Sequence, residues 1–207
     1  MLVSVLIPSR ARFQALLWTI ESIYRTADGD GFEILIRFDD DDQRSKAYCG
    51  LLDRYKKVKY FFGPRKGGYD EIGSNQWSEL EREAKGEWCW FLNDDAWVEG
   101  NDWYSQLQKI DPTGHVKVDP KYWWTLTKQE SKMLSWGGPF PILPKFFWKE
   151  YNEETLLSPI DSWGHAVTVE RNGWDWQVLE NVTVVHDRHG PTMAAIEKLH
   201  GTESKTA

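Results

Sequence analysis

The sequence predicts an α/β fold: one domain with a mostly parallel sheet flanked by helices. Three observations carry this. The first half alternates β-rich runs with helically spaced ones, in the order β-α-β-α-β-α-β, and repeated crossovers of that kind build a parallel sheet covered on both faces. Acidic clusters close the second and fourth of the β-rich runs, where the loops of such a sheet bind ligands. The length, 207 residues, suits one domain and would leave two small halves if divided.

Residues 2–7, Leu-Val-Ser-Val-Leu-Ile, are a short β-rich run that Pro8 is expected to stop. Phe13, Leu16, Leu17, Ile20, Ile23 and Tyr24 follow at helical spacing. Asp28-Gly29-Asp30-Gly31 is a turn. Residues 32–38 read as a second strand that runs into four consecutive aspartates, Asp39, Asp40, Asp41 and Asp42. A helical stretch over 43–55 leads to a third strand, 58–62, closed by Gly63-Pro64. The Gly-rich loop 65–73 opens a helix over 75–84, which Gly86 breaks before a fourth strand at 87–92. Asn93-Asp94-Asp95 stands at the end of that strand. Residues 111–150 carry no assignable pattern, 156–171 contain a helix opening near Pro159 or Asp161, and 174–179 and 182–186 read as two closing strands.

Composition narrows the function. There are 25 basic against 32 acidic residues, a net charge of -7, which disfavours a protein built to neutralise phosphate backbones. Clustered carboxylates instead suit divalent cations. The two cysteines, Cys49 and Cys89, lack metal-type spacing and read as reduced thiols of a cytoplasmic protein. The N-terminal apolar run has no charged region before it, so a signal peptide does not fit, and no apolar stretch approaches the length of a membrane span. Thirteen tryptophans must fill a core, line a site or form an interface, and the core is the first expectation for any one of them.

Several constellations carry chemistry. Asn93, Asp94 and Asp95 deliver two carboxylates and an amide into a strand-end crevice, where mutual repulsion and burial favour a cation between them. Asp39 and Asp40 are placed to accept from ribose hydroxyls or a base N–H, whereas Asp42 is placed to cap the following helix. Arg10, Arg12, Arg65 and Lys66 can meet phosphates or simply be solvated. His186, in His-Asp-Arg-His after the last strand, is a ligand for borderline metals or a structural imidazole. Asp161, ahead of a helical stretch, is a helix cap or a general base.

Over roughly residues 2–190 these features together resemble the family-2-like glycosyltransferases of GT-A fold. The resemblance rests on the opening strand with Pro8 and its helix, the second strand ending in aspartate, and Asn75. It rests further on Gly86-Glu87, on the Asp-x-Asp-like Asn93-Asp94-Asp95, on Trp97-Val98-Glu99-Gly100 with Trp103, and on the late Asp161 and His186. It implies a GT-A (Rossmann-like) catalytic domain over 1–190, with a donor-binding half at 1–100, an acceptor-binding half at 101–190, and a tail at 191–207. It implies transfer from a nucleotide-sugar donor, a UDP-sugar first, to an unidentified hydroxyl acceptor, with nucleic acid disfavoured as that acceptor. Pro8, Arg10, Asp39, Asp40, Arg65, Asn75, Asn93 and Asp94 would line the nucleotide sugar. Asp95 and His186 would hold Mn2+ or Mg2+, and Asp161 would be the base of an inverting displacement. A non-catalytic carbohydrate-binding protein and a nucleotidyltransferase-like enzyme are the rival expectations.

Overall fold

The computed structural model describes residues 1–65, 76–110, 115–122, 140, 142–145 and 176–186. Strand β1 (Val3–Ser9) leads to α1 (Phe13–Thr26), β2 (Phe32–Asp39), α2 (Gln43–Tyr48), a 3-10 segment (Cys49–Arg54) and β3 (Val58–Gly63). Helix α3 (Ser78–Glu83), β4 (Trp88–Phe91), β5 (Ala96–Gly100), α4 (Trp103–Gln108), β6 (His115–Tyr122), β7 (Ile142–Pro144) and β8 (Trp176–His186) follow. All strands join one eight-stranded sheet in the order β3-β2-β1-β4-β7-β6-β8-β5. The pairs β3–β2, β2–β1 and β1–β4 are parallel, β4–β7, β7–β6 and β5–β8 antiparallel, and β6–β8 parallel.

Alternation along β1 sorts the core. Val3, Val5 and Ile7 pack on one face with Leu16, Ile20 and Ile23 of α1 and Trp103 and Leu107 of α4. Leu6 faces the other way and packs with Leu35, Phe91, Trp77, Leu80 and Ala84. Trp88, Trp90 and Trp103 are fully buried, and the rings of Trp90 and Trp103 meet edge to face at 5.3 Å, so these tryptophans are core residues, as composition leads one to expect. Among the described residues no helix is long and apolar enough to cross a membrane. Cys49 and Cys89 are free thiols, and burial pushes Cys89 up to about 12.

The structure departs from the sequence reading in several places. Strand β1 runs through Pro8 to Ser9; β4 pairs it only as far as Leu6, so a residue without an N–H is tolerated beyond that point. The helix expected over 43–55 tightens to 3-10 geometry from Cys49, with Gly50 in its first turn. The one expected to begin at residue 75 is α-helical only from Ser78. Residues 96–100 and 103–108, unassigned from sequence, form β5 and α4. The two closing strands are one, β8, interrupted by Asn181 at φ 58 and by a register shift against β6. The expected helix within 156–171 and the tail lie outside the described residues.

One buried ionic group ties the amino end of the sheet. Glu33 of β2 accepts from Ser4 Oγ (2.8 Å), the Lys85 N–H (2.8 Å) and Lys59 Nζ (2.8 Å). Burial works against its charge, but these donors outweigh it and hold the carboxyl below its ordinary value. A depressed folded-state value means that the charge-linked stability is complete above the ordinary carboxylate range and fades as pH falls through the folded value. Glu33→Ala should therefore cost about 1–3 kcal/mol at pH 7, because it strands buried donors. Urea unfolding repeated from pH 7 down through pH 4 should show the gap to wild type narrowing; a constant gap would contradict this account.

Candidate functional site

In the parallel half of the sheet, β1 continues to β2 and β3 on one side and is joined by β4 on the other. The strand order therefore reverses between β1 and β4, and crevices in open α/β sheets form beyond the carboxyl ends at such a reversal. Ser9, Arg10 and Arg12 leave β1 there, Asp39 closes β2, and Asn93, Asp94 and Asp95 leave β4.

Asp94 is the buried hub. Its Oδ2 accepts from Ser9 Oγ at 2.8 Å and from the Arg10 N–H at 3.4 Å, and its carbonyl accepts from Thr19 Oγ1 of α1 at 3.1 Å. Among the described residues its Oδ1 has no hydrogen-bond partner; Arg12 Nη2 lies 2.6 Å away but off the hydrogen-bond direction, so that contact is ionic. Arg12 Nη1 also reaches Asp95 Oδ2, so a single guanidinium spans both carboxylates. Complete burial pushes Asp94 up to about 6, Arg12 opposing and the neighbouring Asp95 charge adding to the rise. Burial works on Asp95 too, but His186 and Arg12 outweigh it and hold that carboxyl low. Adjacent carboxylates are thus driven apart, with Asp95 the firmly ionised one.

His186 arrives from the far half of the sheet. It pairs with Ala96 in the β5–β8 register, which sets its Nε2 3.1 Å from Asp95 Oδ1 and 3.4 Å from Asn93 Nδ2. The Phe140 ring stands edge-on to the imidazole at 5.5 Å. The predicted metal pair, Asp95 and His186, is therefore in contact although 91 positions apart in sequence. Hard oxygen with imidazole nitrogen suits Mn2+ and its neighbours. Among the described residues no cluster of three or more His, Cys, Asp or Glu is arranged to hold a metal. A cation here would take these two donors and complete its shell from a ligand's oxygens, as Mg2+-type sites do.

At the β2 end the structure adds a residue the sequence reading missed. Arg37, on β2 and fully buried, reaches Asp39 Oδ1, Glu79 Oε2 (2.9 Å) and the Pro64 carbonyl. Gln76 Nε2 also donates to Asp39 Oδ1 at 3.2 Å, and Arg10 Nη1 to Asp39 Oδ2 at 2.9 Å. Both oxygens of Asp39 are held by protein donors. Arg10 also grips Asp41, which is drawn below its usual value chiefly by that hydrogen bond. An arginine inside an otherwise apolar strand two residues before an aspartate was the available signal: only an ion partner makes such a residue tolerable in a core. Asp40 is exposed, its N–H bonded to the Gly63 carbonyl at 2.8 Å. Arg65 is exposed, with Nη1 4.0 Å from Asp41 Oδ2. Pro8 is buried in β1. Lys66, Asn75 and Asp161 lie outside the described residues.

Asp42 caps α2, as its position after the aspartates leads one to expect, accepting from the Arg44 (3.1 Å) and Ser45 (3.2 Å) N–H groups and from Ser45 Oγ. The two N–H groups share Oδ1, while Oδ2 takes Ser45 Oγ and, at 2.7 Å, the Ala11 N–H. Ala11 has φ 58, a left-handed conformation that favours glycine, and it joins the two arginines of the site. Asp42 thereby clamps the loop that presents Arg10 and Arg12.

Comparisons with known proteins bear on the family and the fold. The sequence profile described as glycosyl transferase family 2 matches residues 4–169. Residues 1–349 of S. aureus TarS superpose with TM-score 0.70 at 15% identity, covering 90% of this chain and 60% of that one. The same fragment solved with UDP-GlcNAc gives TM-score 0.71 at 15% identity, with 94% and 61% covered. A mannosyltransferase from Pyrobaculum calidifontis, PcManGT, solved with GDP-Man and Mn2+, gives 0.67 at 14% identity, with 89% and 56% covered. The likeness establishes the GT-A fold, and the chain spans about three-fifths of the length of these structures. No curated protein sequence matches significantly.

Asp42→Ala should lower stability by about 1–2 kcal/mol through the lost cap, with Asp42→Asn retaining most of it. Hydrogen exchange should show faster opening of residues 9–12 in the alanine variant. Unchanged protection at Ala11 would contradict the clamp.

Proposed function

The chain belongs to glycosyl transferase family 2, and from that premise we propose that it moves a sugar from a nucleoside-diphosphate sugar to an acceptor hydroxyl, with inversion, using Mn2+ or Mg2+. The observation that carries the metal part is the 3.1 Å approach of His186 Nε2 to Asp95 Oδ1 at the reversal of strand order. The donor part draws support from solved relatives: S. aureus TarS holds UDP or UDP-GlcNAc, and PcManGT holds GDP-Man with Mn2+.

In this reading Asp95 and His186 hold the cation, and Asp94 supports them from below. The cation, when bound, would stabilise charge that develops on the leaving diphosphate. Arg10, Asp39, Asp40, Arg65, Asn75 and Asn93 line the nucleotide and its phosphates, with Pro8 shaping the end of β1. Asp39 acts mainly through the arginines it holds, since its own oxygens already have donors. Asp161 takes the proton from the acceptor hydroxyl as the new bond forms, a role typically worth about 10²- to 10⁴-fold. Among the described residues Trp77, Trp88, Trp90 and Trp103 are spent on the core, so these four are not part of an open sugar platform.

Incubation with UDP-GlcNAc, UDP-Glc and GDP-Man, with and without Mn2+, tests the proposal through release of the nucleoside diphosphate. Release should require the cation, fall by at least about 10²-fold in Asp161→Asn, and vanish in Asp95→Asn while that variant stays folded. Metal-independent release would remove the cation from the mechanism; full activity of Asp161→Asn would remove the assigned base.

A further inference from the structure

We propose that Arg12 is an internal counter-cation of the metal site: its guanidinium bridges Asp94 and Asp95 and offsets part of their charge until a divalent ion displaces it and frees it for the donor's diphosphate. This rests on the metal site assigned above.

The geometry leads there in steps. Asp94 is fully buried and Asp95 is 6% exposed, so two adjacent carboxylates face each other with little water to screen them. Arg12 spans them, with Nη2 2.6 Å from Asp94 Oδ1 and Nη1 on Asp95 Oδ2. A single positive charge that the chain itself supplies therefore offsets the two carboxylates in part. A divalent ion held by Asp95 and His186 would bring two positive charges against the same carboxylates. It would then face a guanidinium within a few ångströms, in a pocket where charges interact strongly. Ion and guanidinium thus compete for one pair of acids.

Arg12 is built to leave. It is the N-cap residue of α1, the helix end at which a cation is disfavoured, and its side chain makes no capping bond. Among the described residues, the two carboxylates alone hold its charge there. The backbone around it is pinned instead: the Arg10 N–H on Asp94, the Ala11 N–H on Asp42, and the Arg12 carbonyl accepting from the Leu16 N–H at 3.0 Å. Its side chain keeps 20% exposure, so rotation about its own bonds can take the guanidinium outward without unwinding the helix. Outward is where a diphosphate would lie, and guanidinium binds phosphate oxygens bidentately. Metal entry and donor recognition then become one exchange.

Mn2+ binding followed by electron paramagnetic resonance tests this, on the full chain without nucleotide and then with UDP or GDP. Arg12→Gln should bind Mn2+ alone about five- to ten-fold more tightly than wild type, because the competitor is gone. The same variant should melt lower without metal and gain more from Mn2+. Arg12→Lys, whose compact ammonium cannot span both acids, should shift affinity in the same direction by less, and it carries the test if the glutamine variant does not fold. Unchanged or weaker Mn2+ binding in both variants overturns the proposal and leaves the metal site standing, with Arg12 merely supporting Asp95. Absence of Mn2+ binding in wild type and variants alike, with either nucleotide present, overturns the metal site itself and this proposal with it.

Discussion

Two aspartates in succession at the end of a buried strand are the constraint around which this sheet is arranged. Asp94 and Asp95 cannot both stay ionised in an apolar setting unless a cation accompanies them. Each neighbouring element contributes to meeting that demand. Strand β1 sends Ser9 and the Arg10 N–H to Asp94, α1 sends Arg12 to both acids and Thr19 to the Asp94 carbonyl, and β8 sends His186 to Asp95. An acidic strand end can therefore serve as the meeting point of the first, middle and last described segments of the chain.

A second ionic system, at the end of β2, works by a different logic. Arg37 is wholly inside the protein, and its partners Asp39, Glu79 and the Pro64 carbonyl belong to β2, α3 and the segment after β3. Breaking such a group leaves an uncompensated buried charge, so it fixes geometry more than it adds net stability. Arg10 links the two systems: its side chain grips Asp39 and Asp41, while its N–H points to Asp94. The loop between β1 and α1 is thus held from both sides, and Asp42 secures its one left-handed residue.

The parallel half of the sheet was legible in the sequence because each strand is a short apolar run closed by a turn signal, with helical spacing between. The strand-end acids were legible for the same reason, and so was the capping role of Asp42. Helix ends were read less well: the 3-10 segment after α2 and the late start of α3 depend on packing and loop geometry rather than on residue spacing. Strand β5 escaped notice because Trp97-Val98-Glu99-Gly100 is too short to show a period, and its partner lies more than 80 positions away. Arg37 escaped because a charge inside an apolar run reads as an interruption until its partners are known. Arg12 was noticed, but as a contact for phosphate, since its bridge to two acids 82 and 83 positions distant leaves no trace in local pattern.

The placement of His186 shows how backbone geometry can decide a chemical site. Strand β8 pairs with β6 along both its halves, in two different registers, and with β5 along the second half. Asn181 absorbs the mismatch: at φ 58 it interrupts the strand, and the register against β6 shifts there, from Lys117↔Val178 to Asp119↔Thr183. Directly across, Gly100 stands at φ 101, where an added Cβ would run into the Asn181 carbonyl oxygen. A glycine and an asparagine, both tolerant of left-handed backbone, thus lock β5 against β8 at Gly100↔Val182. Four steps further along that ladder the same register puts His186 opposite Ala96, next to Asp95. Because successive side chains point to opposite faces, a slip of one residue would turn the imidazole away from the carboxylate. The pairing of imidazole and carboxylate therefore depends on a backbone fit at the opposite end of two strands.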